Sequence, residues 1–498
     1  MRLRAFATVV LLGLPFYACG SEGGAEPEAD AGSSSGSSGT IDSGTTSSSS
    51  SSSGDAAVVE TGLPDNLTAG AAKVDATPKI GVPLGGYGGR MSGSVDLDPT
   101  NDITLFKAST GVRDPIYCKA LVLSDGKTKV GFMAVDGIGI IGTFVNNVLT
   151  RAKTKGYTVP DDNNLMFASH THSGPAAVTT LRFWQLAAMD LYVKRADDEF
   201  SEACATALAN AEKAMVPAKL GTGFSELKGA TQNRRADRSP WLDNDTVDPT
   251  LGLVRVDKKD GTPIAVLWNF AIHGTALGAD NLKFSGDVMG QANTYIEQKI
   301  PGVVSLFMNG AEGDTSPVYA PAGEEATMTE VGTTISDKVK AEYAKIATRG
   351  HISRLQSKSA MVDFGQPKVT IATETVGGEL NLGSLGPLLG ALPGVPLNLG
   401  SDFSDRVFRM QAIRLDDDVF ASVPGEALYE VGQQIKKDGK DLGFAHVFVA
   451  GLANGHMGYA PPKREYDLGG YEVQVTLFGD QAGQKVIDGC KASMAAVK

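Results

Sequence analysis

Short apolar runs that alternate with helix-like stretches constrain the fold of this chain more than any other feature. The runs are rich in Val, Ile, Leu, Phe and Ala, and they lie at residues 130–135, 165–168, 264–272, 303–308, 419–423 and 447–450. Helix-like sequence lies between them, for example at residues 143–155. This alternation is typical of a layered α/β domain. We therefore predict an α/β fold in which a mixed β-sheet core is flanked by helices.

Residue types that bind metals or take part in catalysis recur directly after these runs. They are His170, His172, His273, Asp314, Ser316, Glu426 and Tyr459. The chain has only 6 histidines in 498 residues, and two of them stand one residue apart in "NLMFASHTHSGPAA". A single histidine after a strand is more often a hydrogen-bonded structural residue than a ligand. Because open α/β sheets bind ligands outside the carboxyl ends of their strands, the recurrence predicts one convergent site.

The residue types favour a metal site at these strand ends. Two imidazoles from separate strands and one carboxylate form a common catalytic zinc set, which leaves positions for water and substrate. On an extended segment, His170 and His172 would point to the same side, because side chains alternate along a strand. One ring would then bind the metal while the other carries protons.

The N-terminal residues have the composition of an export signal followed by a linker. Residues 1–19 combine early arginines, an apolar stretch and a small-residue junction, which predicts a secretory signal peptide. Cys19 at this junction resembles the cysteine of a bacterial lipoprotein signal. Residues 20–57 are rich in Ser and Gly and are predicted to be a disordered linker. We expect an exported protein, either secreted or anchored to a bacterial membrane or cell surface as a lipoprotein, with one globular domain at residues 58–498.

Charge, hydropathy and cysteine usage exclude several classes of protein. The net charge of −12 argues against a nucleic-acid partner, which needs a basic surface. No later run of 18 or more apolar residues is present, so no membrane-spanning helix is expected. Cys118, Cys204 and Cys490 follow no paired spacing. We favour buried, unpaired cysteines, and one bridge plus one free thiol stays open.

Several motifs occur in an order and spacing that resemble a known family. They are "GVPLGGYGGR", "FMAVDG", "HTHSGPAA", "NFAIHGTALG", "NGAEGDTSPV", "VPGEAL" and "GLANGHMGYAPPKREYDLGGYE". Together they resemble the catalytic domain of the neutral/alkaline non-lysosomal ceramidases, over about residues 73–479. The resemblance implies a zinc-dependent amidohydrolase that cleaves the N-acyl bond of ceramide or a related N-acyl lipid to a fatty acid and an amine.

The resemblance also implies roles for individual residues. The implied ligands of one Zn²⁺ per chain are His170, His273, Glu426 and Tyr459. The implied catalytic and substrate-binding residues are Ser316, His172, Tyr471, Arg234 and Gly86. In this scheme the histidine is an acid/base beside the metal, the arginine and tyrosine hold the scissile amide, and the glycine lines the pocket. The serine matches the one that the family describes as catalytic.

Two departures bear on the substrate and on the domain organisation. Val318 stands where the family motif has asparagine. The chain stops at Lys498, shortly after the last motif, so we expect no C-terminal β-sandwich domain. The uncharged stretch "LNLGSLGPLLGALPGVPLNL" at residues 380–399 is either a buried loop or a lipid-contacting lip at the pocket mouth. Together with a lipidated Cys19, such a lip would bring the protein to a membrane surface.

The sequence leaves alternatives open for both residues and function. His456 competes with Tyr459 as a ligand, and Arg235 and Arg238 compete for the role of the substrate-holding arginine. One alternative function is a metal-independent serine hydrolase that uses Ser316 with His172 or His273 as base. No Gly-x-Ser-x-Gly elbow surrounds this serine, and the mechanism would leave the glutamate idle. The other alternative is a non-catalytic surface lipoprotein that retains the fold.

Overall fold

The computed structural model describes residues 63–92, 104–369, 397–398 and 403–498. The predicted signal peptide with Cys19, the predicted linker, and all but two residues of the apolar stretch 380–399 lie outside these ranges. Among the helices within them, none combines the length and the apolar character that crossing a membrane would require.

Strands β1 to β20 follow one another in chain order. The first ten are β1 (Thr68–Asp75), β2 (Gly111–Val112), β3 (Tyr117–Ser124), β4 (Lys129–Val135), β5 (Asn164–Ala168), β6 (Val216–Glu226), β7 (Thr231–Asn233), β8 (Thr250–Lys258), β9 (Pro263–Phe270) and β10 (Lys283–Phe284). The others are β11 (Val304–Asn309), β12 (Thr315–Pro317), β13 (Leu355–Asp363), β14 (Lys368–Val369), β15 (Leu397–Asn398), β16 (Val407–Leu415), β17 (Asp418–Ser422), β18 (Glu426–Ala427), β19 (His446–Ala450) and β20 (Tyr459–Ala460). The apolar runs of the sequence correspond to β4, β5, β9, β11, β17 and β19, as predicted.

The helices lie mostly between these strands. They are α1 (Gly142–Thr154), α2 (Arg182–Trp184), α3 (Lys194–Lys213), α4 (Asp287–Lys299), α5 (Glu324–Tyr343), α6 (Tyr429–Asp441), α7 (Lys463–Asp467), α8 (Tyr471–Gln474) and α9 (Ala482–Ala495). A π-helical turn, Gln185–Met189, continues α2. In α1, the buried Phe144, Val145, Val148 and Leu149 recur at helical spacing, so one face of the helix packs on the core.

The largest sheet is mixed and strongly curved. Its eight strands have the order β11-β9-β8-β6-β1-β3-β4-β5. The outer pairs β4–β5 and β9–β11 are parallel, and the pairs between them are antiparallel. The edge strands β5 and β11 contact each other, and the Asn309 side chain donates to the carbonyl of Ser169 (3.2 Å). Curvature therefore brings the carboxyl ends of the parallel strands to one place.

A second sheet, with strand order β13-β16-β17-β19, packs on the inner face of the large sheet. The Phe132 ring of β4 lies 5.1 Å from Phe420 of β17, which stacks 4.4 Å from Phe448 of β19. Helices α1, α3, α4 and α5 cover the outer face of the large sheet, and α6 and α9 cover the second sheet. The predicted mixed sheet flanked by helices is confirmed. The second sheet was not predicted.

The packing of helices on one face of the large sheet and of the second sheet on the other explains why the sequence of β4 is almost entirely apolar. Met133 and Val135 face the helices, whereas Phe132 and Ala134 face the second sheet. A strand that is covered on both faces shows no polar alternation.

The prediction that the cysteines are unpaired is wrong for two of them. Cys118 of β3 and Cys204 of α3 form a disulfide across 86 positions, and Cys490 is free and buried. No local spacing could indicate this bridge, because only the packing of α3 on the large sheet brings the two residues together.

Candidate metal centre

The predicted ligands lie in segments that follow strands of the large sheet or begin the short strands β18 and β20. His170 follows β5, and His273 follows β9. Glu426 begins β18 and Tyr459 begins β20, and the two are register partners in this parallel pair. His170 Nε2 lies 3.1 Å from His273 Nε2, and Glu426 Oε2 lies 3.2 Å and 3.3 Å from these nitrogens. The structure thus brings the three side chains to one point.

The hydrogen bonds of the two rings show that their facing nitrogens carry lone pairs. His170 Nδ1 donates to the carbonyl of Ile138 (2.6 Å), and His273 Nδ1 donates to the carbonyl of Glu312 (2.8 Å). With the protons on Nδ1, the two Nε2 atoms cannot bond to each other. Glu426 Oε2 is buried and has no hydrogen-bond partner. Three electron-pair donors that face one another in the interior fit a metal ion between them, and the carbonyls orient the rings as outer-sphere partners do.

Burial keeps the imidazoles in the form that binds metals. Burial, together with the neighbouring Arg234 and His170, lowers the pKa of His273 to about 3. Burial and the neighbouring histidines also hold the pKa of His172 well below its usual range. These two rings are therefore neutral at physiological pH, and neutral imidazole is the ligand form.

Tyr459 approaches the same point through its hydroxyl oxygen, which lies 3.4 Å from His273 Nε2. Arg234 Nη2 donates to that oxygen (3.0 Å) and to the carbonyl of Gly313 (2.6 Å). A guanidinium at this distance stabilises negative charge on a phenolic oxygen. Tyr459 can therefore act as a fourth, anionic donor, and Arg234 lies behind it.

The arginine following Arg234 has a different environment. Arg235 donates to Glu465 (2.8 Å) and Glu472 (2.5 Å) in a buried network. Arg234 Nε donates to the other oxygen of Glu472 (2.9 Å), so one carboxylate ties both arginines to α8. Of these two arginines, only Arg234 reaches the tyrosine of the donor set.

His456 also lies near the site, with Nε2 3.6 Å from Glu426 Oε1. Its Nδ1 accepts the backbone N–H of Gly458 (3.2 Å), which leaves the ring proton on Nε2. The ring packs 4.1 Å from Trp184, and burial lowers its pKa to about 4. Because this tautomer turns an N–H and not a lone pair towards Glu426, the geometry disfavours His456 as a ligand, although its ring lies close enough to His170 and Glu426 to join a metal group.

The prediction that His170 and His172 lie on an extended segment, with both rings on the same side, is wrong about the backbone. The segment is not extended, because β5 ends at Ala168 and His170 has a φ of 67°. In this left-handed conformation its N–H bonds to the carbonyl of Gly137 (2.9 Å). The two rings still lie 4.9 Å apart. A non-glycine residue with positive φ is uncommon and marks a local constraint.

His172 stands beside the donor set, with both ring nitrogens buried and without hydrogen-bond partners among the described residues. Its ring lies 4.6 Å from the ring of Tyr87 and 5.8 Å from that of His273. Gly86, with a φ of 106°, leaves no space for a side chain, since a Cβ there would lie 2.7 Å from the His172 ring. The ring is therefore held by packing, and its nitrogens stay available to a ligand.

A cavity opens beside these side chains. It is lined by Gly86, Gly88, Ile138, His170, His172, Trp184, Ala187, Ala188, Glu426, His456, Tyr459, Tyr471 and Val475. Gly86 and Tyr471 thus lie where the resemblance implies, and the Tyr471 ring is 5.7 Å from the Tyr459 ring. A wall of apolar side chains with a few converging polar groups is typical of small-molecule sites.

Ser316 lies on β12, next to the site but outside the cavity lining. Its neighbour Thr315 accepts the N–H of His273 through its carbonyl (3.0 Å). Among the described residues, no histidine ring forms a hydrogen bond with Ser316. The structure therefore brings Ser316 close to His273 in the fold, but no described histidine ring is hydrogen-bonded to it as a base.

Two residues at the site were not singled out from the sequence. Glu312 is buried, neither of its carboxylate oxygens has a hydrogen-bond partner, and its carbonyl orients His273. Burial and the charge of Glu426 hold the pKa of Glu312 well above its usual range. Trp184 covers His456 and donates to its carbonyl (3.2 Å). Glu312 lies in the motif "NGAEGDTSPV", so the sequence could have indicated it as a site residue. Trp184 lies outside every motif, so no such indication was present.

The fold and the site define an α/β protein with a buried group of two histidines, a glutamate and a tyrosine beside a cavity. Residues 104–375 match the family described as "Neutral/alkaline non-lysosomal ceramidase, N-terminal". The chain belongs to this family, which confirms the resemblance inferred from the motifs.

Individual relatives agree with this assignment. The chain is 25% identical to the neutral ceramidase of Pseudomonas aeruginosa over 446 residues, which cover 76% of this chain and 66% of the relative. It is 30% identical to neutral ceramidase A of Dictyostelium discoideum over 177 residues, or 31% of this chain and 24% of the relative. The chain thus spans two thirds or less of the length of these curated relatives.

Solved structures share the fold. The crystal structure of the Pseudomonas aeruginosa neutral ceramidase superposes with a TM-score of 0.73 at 20% identity, covering 87% of this chain and 75% of that one. A structure described as "Ceramidase complexed with C2" superposes with a TM-score of 0.74 over the same shares, also at 20% identity.

Proposed function

We propose that this protein is a zinc-dependent amidohydrolase that cleaves the N-acyl bond of ceramide or a related N-acyl lipid, releasing a fatty acid and an amine. One observation carries the proposal: the Nε2 lone pairs of His170 and His273 face each other at 3.1 Å, with Glu426 Oε2 beside both. Membership of the ceramidase family and the names of the relatives support the substrate class.

The donor set defines the chemistry of the site. His170, His273 and Glu426 would hold the metal, with Tyr459 as an anionic fourth donor stabilised by Arg234. When bound, zinc supplies Lewis-acid polarisation of the amide carbonyl and lowers the pKa of a water molecule at the site.

The remaining side chains act on protons and on developing charge. Water oxygen adds to the amide carbon, the C–N bond breaks, and the leaving amine takes a proton. His172 is neutral and has unpartnered ring nitrogens, so it would accept the proton of water and deliver it to the amine. Tyr471, at the cavity wall, would donate to the oxyanion, a contact worth roughly 3 kcal/mol.

Metal analysis of the purified protein tests the centre directly. We expect close to one zinc per chain in the wild type. Glu426→Gln removes the negative charge between the imidazoles and should lose most of the metal. Glu297→Gln is the control, because Glu297 is a partly buried carboxylate that pairs with Lys119 and Lys73 instead of facing the imidazoles. Equal metal contents in the two variants would reject this centre.

Chelation separates the proposal from the serine-hydrolase alternative. A strong chelator should abolish amide hydrolysis, and added zinc should restore it, whereas serine-directed acylating reagents should have little effect. Activity that survives complete removal of the metal would favour the serine mechanism. The absence of a hydrogen bond between Ser316 and any described histidine ring supports the metal mechanism.

The substrate class is tested by varying the acyl chain. Each buried methylene contributes roughly 0.8 kcal/mol, so kcat/KM should rise by several orders of magnitude from short to long N-acyl amides if the pocket holds the chain. Equal values for short and long chains would indicate a smaller amide substrate. We further propose that the apolar stretch 380–399 contacts the lipid, in which case its deletion should penalise long chains more than short ones.

We also propose that the protein is exported. The disulfide between Cys118 and Cys204 supports this, because disulfides persist mainly in oxidising compartments. Mass spectrometry of the N-terminal peptide from the native host would test signal cleavage and lipidation of Cys19. An intact, unmodified N-terminus on a cytoplasmic protein would contradict the proposal.

A further inference from the structure

Arg90 is a buried cation, and within the described part of the chain its side chain donates only to backbone carbonyls. It is 1% exposed. Nη1 donates to the carbonyls of His172 (2.5 Å) and Gly85 (2.7 Å), Nε donates to Ala279 (3.2 Å), and Nη2 donates to Gly278 (3.3 Å). None of the described carboxylates forms an ion pair with it. Burial lowers its pKa to about 10, so the guanidinium remains charged.

These carbonyls belong to three segments that surround the candidate site. One segment carries His172, one carries Gly86 of the cavity wall, and the third continues from the metal-ligand candidate His273. The backbone N–H of His172 donates to the carbonyl of Gly274 (3.0 Å), so Arg90 and the third segment hold its peptide groups from both sides. A single guanidinium therefore joins all three segments.

The same guanidinium fixes the ring that packs against His172. Its Cζ lies 4.8 Å from the centre of the Tyr87 ring, and that ring lies 4.6 Å from the ring of His172. The Tyr87 hydroxyl donates to the carbonyl of Leu277 (2.9 Å), again on the third segment. Because no described residue forms a hydrogen bond with the His172 nitrogens, packing and backbone position determine where these nitrogens point.

A buried cation without an ion pair is costly, and an apolar side chain would avoid its desolvation. What an apolar side chain cannot do is donate to several carbonyls at once. Lysine offers three donors from one point, whereas the planar guanidinium spreads five donors over a fork. The geometry of four carbonyls on three segments matches the fork.

We propose that Arg90 is a positioning residue that sets the orientation of His172 at the cavity. This inference rests on the proposed function, in which His172 transfers protons. Arg90 does not line the cavity, so it acts through His172 and not on the substrate.

The test compares Arg90→Met and Arg90→Lys with Arg414→Met in the purified protein. Arg414 is the matched control, because it is also buried, donates to the carbonyls of Asp416 (2.7 Å) and Val497 (3.2 Å), and lies over the Phe444 ring. We expect Arg90→Met to lower kcat by about 100-fold, the scale of a misplaced catalytic group, with a smaller change in KM and full zinc content. Arg90→Lys should recover part of this loss, and Arg414→Met should leave kcat unchanged.

A second readout does not depend on activity. In histidine-labelled protein, the His172 ring signals, assigned with His172→Gln, should shift or broaden in Arg90→Met and less so in Arg90→Lys. Unchanged His172 signals would overturn the inference, and so would equal losses of kcat in Arg90→Met and Arg414→Met. If the wild type has no amidase activity, the proposed function fails and the ring signals alone decide the role of Arg90. If Arg90→Met does not fold, Arg90→Lys carries the same comparison.

Discussion

At the scale of single residues, two buried acids in the turn between β11 and β12 are held by different means. Asp314 accepts the backbone N–H of Tyr429 (2.8 Å) and the side-chain amide of Asn233 (3.1 Å). Glu312 has no partner for either oxygen. Burial raises the pKa of Asp314 to about 7. Both carboxyls therefore hold protons at a pH where exposed carboxyls are charged, which limits the negative charge near the candidate metal ligands.

The pKa of Asp314 makes stability depend on pH in a defined direction. The unfolded value is about 3.9, so the folded state binds the proton more tightly. The contribution of the Asp314 carboxyl to the free energy of unfolding is fully present below pH 4 and is lost as the pH rises through 7. The free energy of unfolding of the wild type minus that of Asp314→Asn should fall by up to about 4 kcal/mol between pH 4 and pH 8. Denaturant titrations of the wild type and the variant at pH 4 and pH 8 measure this difference.

The control for this prediction is Asp245→Asn, because Asp245 is exposed. Its difference from the wild type should stay nearly constant over the same range. A constant difference for Asp314→Asn as well would show that the pKa of Asp314 is the same in the folded and the unfolded protein.

At the scale of elements, the parallel pair β18–β20 positions Glu426 and Tyr459 side by side. Gly458, just before β20, has the backbone conformation and the close contact that this pairing requires. Its φ is 83°, its carbonyl accepts the N–H of Glu426 (3.0 Å), and a Cβ would lie 2.4 Å from the carbonyl oxygen of Val475. Only glycine meets both demands, since it tolerates positive φ and has no Cβ.

Gly458→Ala should therefore displace β20 and weaken metal binding by about 10- to 100-fold, as loss of an outer-sphere contact does. Zinc titration against a competing chelator measures this. Gly443→Ala is the matched control, because Gly443 has a φ of 95° but open space around its Cα. The control should lose about 1 kcal/mol of unfolding free energy and keep its zinc affinity. Equal zinc affinities in both variants would contradict the assigned role of β20.

At the scale of the whole molecule, two sheets share one interior between outer layers of helices. The disulfide Cys118–Cys204 ties helix α3 to the large sheet across 86 positions. A bridge that closes a loop of this length restricts the unfolded chain and stabilises the fold by roughly 2–4 kcal/mol. The helical layer over β3 therefore depends on the redox state as well as on packing.

Replacing the bridge with Cys118→Ala/Cys204→Ala should lower the free energy of unfolding by about 2–4 kcal/mol. Addition of a reductant should have a similar effect on the wild type and none on the double variant. Cys490→Ala is the control, because Cys490 is buried and free, and its stability should remain sensitive to reductant. Identical unfolding of oxidised and reduced wild type would contradict the stabilising role.

The sequence by itself determined the α/β class, the apolar strands and the residue types at their ends. These features are local: a strand covered on both faces must be apolar along its length, as β4 is, and a strand end can be read from the polar residue that follows. The motifs also identified the family. His170, His273, Glu426 and Tyr459 could therefore be named before their positions were known.

Only the tertiary structure decided how these residues meet and what state they adopt. The curvature of the large sheet brings β5 next to β11 and the segments after β5 and β9 together, and it arises from contacts between residues far apart in the chain. The ring protons of His170 and His273 are fixed by carbonyls of Ile138 and Glu312 on other segments. The left-handed backbone of His170 and the disulfide between Cys118 and Cys204 also depend on contacts with distant segments. No local pattern records them, because each depends on a partner that only packing supplies.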